Sequence, residues 1–204
     1  MFITFEGPEG SGKSTQAEQL KVYLEGKGQE VLLTREPGGT HLGKNLRELL
    51  LNPNNSLDAM TESFLFAADR SEHVNKVIKP ALAEGKIVIS DRYLDSTIAY
   101  QIGGRRLPED FIRYLNMVAT QGTWPDLTIL LDVSSEEGLK RARKKGEADR
   151  FEKEQLEFHR RVRERYLLCA QEDPARFKIF DTAKKELEVI QKMIRSVVDE
   201  KLGN

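Results

Sequence analysis

Gly7-Pro8-Glu9-Gly10-Ser11-Gly12-Lys13-Ser14 fills the pattern G-x-x-x-x-G-K-[ST] without a gap. Each fixed position has a physical reason. Glycine adopts backbone conformations that a Cβ forbids, so this loop can wrap a phosphate with its N–H groups pointing inward. Lys13 adds a point charge for the β- and γ-phosphates, and the Ser14 hydroxyl is placed to ligate Mg²⁺. Lys13 is expected to project as an exposed charge. Phe2-Ile3-Thr4-Phe5 is a β-prone run directly before the loop. After it, Ala17, Leu20, Val22 and Leu24 mark a helix that ends near Gly26 or Gly28. Strand, loop and helix are the context the motif needs, because the helix N-terminus supplies further donors and a favourable dipole. The stretch therefore predicts a nucleoside triphosphate held by Gly7–Ser14, with Thr15 in the first helical turn. Alone, it does not separate a kinase from a switch or a motor.

The rest of the chain alternates strands and helices. Val31–Leu33 and Phe177–Phe180 read as short strands, and Ile87–Ser90 and Leu127–Val133 as apolar runs of the kind buried on both faces of a parallel sheet. Helices are predicted over Leu42–Leu51, Asp58–Glu84 (bent at Pro80), Asp95–Gln101, Glu109–Thr120, Ser135–Lys145, Glu154–Glu172 and Lys184–Lys201. The fold class read from this order is α/β. It is a P-loop NTPase fold with a five-stranded parallel sheet and helices on both faces, and it binds ligands at the strands' carboxyl ends. One domain is expected over residues 1–204, since 204 residues suit a single α/β core.

Composition narrows the partners. The 32 basic and 33 acidic residues leave a formal charge of -1, so no global field draws the chain to nucleic acid or membrane. Cys169 is the only cysteine, which fits a reducing, cytoplasmic setting. No apolar stretch approaches membrane-spanning length, and the first strand begins at once, leaving no room for a signal peptide. His41, His73 and His159 show no metal spacing.

Ile87–Ser90 runs straight into Asp91-Arg92-Tyr93. An aspartate at the end of such a strand sits where a carboxylate of the Mg²⁺ shell belongs, and Arg92 then faces the phosphate-transfer gap. Two features of GTP-driven switches are missing. Asn75-Lys76-Val77-Ile78 fails the Asn-Lys-x-Asp guanine signature at its last position, and no Asp-x-x-Gly follows a strand. A phosphotransferase with a second substrate is favoured. Arg35-Glu36-Pro37-Gly38-Gly39-Thr40 follows the second strand, Phe64–Arg70 lies in the long helix, and Asp91–Gln101 follows the third strand. As a set, in this order and spacing, these segments resemble the thymidylate kinase family from the first strand to the last.

The resemblance implies transfer of the ATP γ-phosphoryl group to dTMP, giving dTDP and ADP and so supplying dTTP synthesis, with Mg²⁺ as cofactor and a homodimer as the assembly. Phe66 and Arg70 are four apart on one helix face, where an aromatic plane and a forked donor suit a pyrimidine and its O4. Phe66 also fits a core aromatic. Thr97 and Gln101 are the implied polar partners of the base, although many bacterial members have serine where Thr97 stands. Tyr100 resembles the tyrosine that crowds the sugar 2′ position. Arg92 and Arg47 resemble the arginines that hold the acceptor phosphate, and Glu36 the carboxylate near the deoxyribose. Arg47 equally fits a solvated helix charge. Lys140, Arg141, Arg143, Lys144, Lys145 and Arg150, interrupted by Gly146 and Ala148, resemble the family's lid, over about residues 140–152. Glu9 stands in a P-loop that lacks arginine, the variant in which the lid supplies the catalytic arginine, here Arg143 or Arg150. Arg141 and Asp181, the latter in the loop after the last strand, fall on the ATP side. Arg160-Arg161-Val162-Arg163-Glu164-Arg165 reads as a solvated, ion-paired face. Another P-loop nucleotide or deoxynucleoside kinase is the alternative within enzymes. Outside them it is a P-loop ATPase switch, which would need no acceptor site.

Overall fold

The computed structural model describes residues 1–144, 148–183 and 185–203. Five strands form one parallel sheet: β1 Phe2–Glu6, β2 Val31–Arg35, β3 Ile87–Asp91, β4 Leu127–Asp132 and β5 Phe177–Asp181, in the order β2-β3-β1-β4-β5. Side chains alternate across each strand, so the runs feed two cores. Ile3, Phe5, Ile89, Ile129 and Leu131 meet α1 (Lys13–Gly26) and α9 (Leu187–Leu202) on one face. Phe2, Val88 and Leu130 meet helices α3 (Ala59–His73), α4 (Lys79–Ala83), α5 (Leu94–Thr97) and α8 (Leu156–Glu172) on the other. The remaining helices are α2 (His41–Leu51), α6 (Glu109–Thr120) and α7 (Ser135–Arg143).

β1 lies between β3 and β4, so the chain leaves it first to one side and later to the other. The crevice at this switch point opens at the carboxyl ends of β1 and β3. The register pairs Phe5 with Asp91 and Arg35 with Asp91, which sets the end of β3 beside the start of the P-loop.

Two helices depart from the expected form. The helical run continues without a break through Pro80. The turn before it, Val74–Ile78, widens into π-helix, in which Lys79 N–H reaches Val74 O, and α4 starts with the proline in its first turn. A widened turn accommodates proline's missing donor without breaking the helix. Likewise α5 is a single turn continued as π-helix over Ile98–Gly104. The last helix begins at Leu187; Lys184, where it was expected to start, lies outside the described residues, as do Lys145 and Gly146 of the lid. The arginine run on α8 is ion-paired, as expected, but it is not simply solvated. Arg161 donates to Gly103 O and Gly104 O, Arg163 makes a two-pronged bond to Asp132, and Arg165 pairs with Glu109. These bonds tie α8 to the π-helical segment, to β4 and to α6.

Candidate active site

The P-loop turns directly from β1 into α1, and two glycines in it are sterically required. At Gly7 (φ 142°) a Cβ would stand 2.3 Å from Leu131 O, and at Gly10 (φ 67°) 2.0 Å from Gly138 O. The loop is therefore pressed against β4 and the backbone of α7. Lys13 is buried, contrary to the exposed charge expected. Its Nζ donates to Gly7 O at 3.0 Å, Pro8 O at 2.8 Å and Ser11 Oγ at 3.3 Å. Burial, and then the nearby Arg92, bring its pKa down to about 8. Ser14 Oγ donates to Asp91 Oδ2 at 2.5 Å. The two groups expected to share a metal thus already adjoin.

Arg92 is the hub. It takes φ 72° in the turn after β3. Nη2 donates to Glu9 Oε1 at 2.7 Å and Tyr100 OH at 3.1 Å; Nη1 donates to Gly7 O at 3.1 Å, Ser96 Oγ at 3.2 Å and Tyr166 OH at 2.9 Å. Burial alone would raise the Glu9 carboxyl, but Arg92, Lys13 and the Tyr100 hydroxyl hold it at about 2. Behind the hub, the buried Glu6 accepts from Tyr93 N, Ser96 Oγ and Tyr166 OH. Burial, and next Asp95, raise its pKa from 4.5 to about 7.

A raised carboxyl pKa means that the folded state holds the proton more tightly than the unfolded chain. The stability contributed by Glu6 is therefore full below about pH 4.5 and is lost as pH rises through about 7. Across that window the wild type should lose on the order of 3 kcal/mol relative to Glu6→Gln. Urea unfolding of both proteins at pH 5 and pH 8 measures the difference; parallel curves would contradict it.

Next to the P-loop lies a second cavity, walled by Phe66, Phe151, Tyr93, Tyr100, Leu51 and Pro37 with Glu36, Arg70, Thr97, Gln101 and Asp149. Glu9, Glu36, Arg47 and Arg92 line both this cavity and the one over the P-loop. Arg70 is fully buried and spends all its donors on protein. Nε and Nη2 meet Glu36 Oε2 at 2.9 and 2.8 Å, Nη1 meets Thr97 Oγ1 at 2.8 Å and Asn116 Oδ1 at 2.7 Å, and Nη2 meets Tyr93 O at 2.9 Å. It therefore reaches a base oxygen only through a shared hydrogen. The other Glu36 oxygen bonds His73 Nδ1 at 2.9 Å. The Glu36–Pro37 peptide bond is cis.

The sequence-expected residues gather well around the two cavities. Phe66, half-buried, faces the second one, with its ring 5.9 Å from that of Phe151. Arg47 donates to Pro37 O and lies between the cavities, so it is no solvated charge. Arg141 joins α7 to the loop after β5, donating from Nη1 and Nη2 to Thr182 O. Asp181 is exposed at the end of β5 and accepts from Ala183 N. Thr15 sits in the first turn of α1, on an open groove.

The two lid candidates part company. Arg143 is exposed in the last turn of α7. Arg150 is turned away from the P-loop: Nη1 lies 2.6 Å from Glu62 Oε2, Nε donates to Leu50 O at 2.7 Å, and the guanidinium stacks 4.5 Å from the Phe151 ring. A buried carboxylate captures it.

Sequence reasoning missed Asn116, Tyr166, Phe151, Asp149 and Glu62. Only Glu62 carries a local signal. It stands four before Phe66 and eight before Arg70, on the same helical stripe.

Two cavities that share Arg92 and Arg47, only one of them floored by a phosphate-binding loop, mark an enzyme that moves a phosphoryl group between two bound substrates. The model of the thymidylate kinase family matches residues 5–194. The chain belongs to the thymidylate kinase family. It is 51% identical over 207 residues to the thymidylate kinase of Oleidesulfovibrio alaskensis, covering 98% of each chain. It is 47% identical over 200 residues to that of Halothermothrix orenii, covering 97% of this chain and 96% of the relative. A crystal structure of thymidylate kinase from Ehrlichia chaffeensis matches with TM-score 0.81 at 36% identity, covering 98% of both chains.

Proposed function

We propose that the chain transfers the γ-phosphoryl group of ATP to dTMP, giving ADP and dTDP, as one domain over residues 1–204 with a lid over about 140–152. The observation that carries this reading is the junction of the two cavities at Arg92. ATP lies along the P-loop with its γ-phosphate at Lys13. dTMP enters the second cavity with its base against Phe66, between Thr97, Gln101 and the shared hydrogens of Arg70. Its phosphate meets Arg92 and Arg47, and Tyr100 and Glu36 bound the sugar. The attacking oxygen belongs to a phosphate already ionised near neutral pH, so no strong general base is required. Positioning and charge neutralisation do the work.

Mg²⁺ fits the oxygen pair Ser14 Oγ and Asp91 Oδ2, because it takes few protein ligands and fills its shell with phosphate oxygens and water. When bound it neutralises charge on the β- and γ-phosphates. Phosphorus-31 NMR of ATP, dTMP and enzyme tests the reaction. dTDP resonances should grow only when Mg²⁺ is added; ATP hydrolysis without a dTDP signal would refute it.

With Arg150 bound to Glu62, Arg143 is the described lid arginine left for the transferring group. Arg143→Ala should lower kcat and kcat/KM together by about a hundredfold, the loss expected for one transition-state donor. A rise in KM alone would mean ground-state binding. Binding of DNA that weakens steeply with salt in the wild type, and is lost in Arg143→Ala with kinase activity intact, would mean a nucleic-acid patch instead.

Phe64, Tyr114, Met117 and Val118 are exposed on the adjacent helices α3 and α6, and Leu42 and Leu49 on the neighbouring α2. We assign this apolar face to a second copy of the chain, a homodimer in the cytoplasm. Light scattering should then give twice the 23.3 kDa chain mass, and a Tyr114→Glu variant the single mass. Among the described residues, no helix is long and apolar enough to cross a membrane.

A further inference from the structure

Glu62 is fully buried on α3, where it accepts three hydrogen bonds and forms an ion pair with Arg150. Oε1 takes Gln101 Nε2 at 2.8 Å and Arg105 Nε at 3.0 Å; Oε2 takes Arg105 Nη2 at 3.0 Å and lies 2.6 Å from Arg150 Nη1. A carboxylate between two guanidinium groups offers acceptors only, and here each oxygen faces two nitrogens. That decides which end of the Gln101 amide faces it. The nitrogen must, so the oxygen is left at the other end. Gln101 lines the acceptor cavity, and among the described residues none donates to that oxygen.

We infer that Glu62 is the positioning residue that makes Gln101 present a carbonyl oxygen to the acceptor base, so that the cavity selects pyrimidines carrying an N3–H. The inference rests on the reading of this cavity as the monophosphate site. Thymine and uracil have a ring N–H at position 3 and can donate to the Gln101 oxygen. Cytosine has a bare acceptor there, which would face oxygen lone pairs and stay unpaired. The terminal torsion of glutamine is broad and roughly two-fold, so the amide by itself does not prefer one orientation. Glu62 supplies the preference. The same carboxylate holds Arg150, near the end of the lid segment, which stacks on Phe151 in the cavity wall. One buried charge therefore serves both the base edge and the wall beside it.

The test is the ratio of kcat/KM for dTMP to that for dCMP. In Glu62→Gln the partner of Gln101 can donate as well as accept, so the amide is free to turn. The ratio should fall about ten- to a hundredfold, the worth of one buried hydrogen bond made or left unpaired. KM for ATP should not change. Glu62→Asp keeps the charge that both arginines need but withdraws the acceptor by one methylene; it should move the ratio the same way if the glutamine variant does not fold. In a Gln101→Leu background, Glu62→Gln should leave the ratio where Gln101→Leu alone puts it, because the effect passes through that amide. A packing defect would lower both acceptors equally. Unchanged ratios in both Glu62 variants, with wild type active on dTMP, would overturn this inference alone. A wild type inactive on dTMP would instead overturn the proposed function.

Discussion

Lys13→Ala is expected to lower kcat by about a thousandfold or more, through two losses at once. The first is the charge facing the β- and γ-phosphates, in a site where a preorganised donor is worth far more than in water. The second is mechanical. Nζ gathers Gly7 O, Pro8 O and Ser11 Oγ, so the same ammonium holds the loop in its curled form. The variant should still fold, since the loop's path is also set by the contacts of Gly7 with β4 and of Gly10 with α7. Steady-state kinetics beside a thermal melt check the prediction. Near-normal turnover in a folded Lys13→Ala protein would remove the ATP assignment from the P-loop. Lys13→Met keeps most of the side-chain volume without the charge and should be almost as inactive.

Arg92→Ala should cost at least as much, with kcat and kcat/KM falling together by about a thousandfold. This arginine belongs to both cavities, so it can follow a phosphoryl group from donor to acceptor. Its fork ties Glu9, Tyr100, Ser96, Tyr166 and Gly7 O together. Lysine cannot reproduce that planar set of donors, so Arg92→Lys should recover little activity despite keeping the charge. Losing Arg92 also strips the half-buried Glu9 of the strongest influence that lowers its pKa. The Glu9 carboxyl should then titrate well above its value of about 2, a change that carbon-13 NMR of labelled glutamate would detect. A KM effect with kcat unchanged would reduce Arg92 to a substrate anchor.

How far the sequence could be read follows from how local each signal is. The P-loop is contiguous, and its glycines and lysine stand where strand meets helix. All five apolar runs became strands, and the three central ones, β1, β3 and β4, are buried on both faces. Asp91 was legible because a strand's last residue is marked by where its apolar run stops. The network around Glu62 was not, since its donors come from residues 101, 105 and 150, which only the folded chain brings together. For the same reason Arg150 looked like a free lid arginine in a basic run. The sequence shows its charge and nothing of the buried carboxylate that captures it. Arg70 was placed on the correct helix face, but the partners that use up its donors lie on three other segments. The π turns at Val74–Ile78 and Ile98–Gly104 leave no clear trace in apolar spacing.

That two substrates meet at Arg92, one of them dTMP, is tested most directly by coupled ADP release with ATP, Mg²⁺ and a panel of nucleoside monophosphates, each product identified by chromatography. Rapid ADP release is expected with dTMP, matched mole for mole by dTDP, and far slower release with dCMP, dGMP, dAMP and AMP. ADP released at the same rate without any acceptor, or faster with a purine monophosphate than with dTMP, would contradict it.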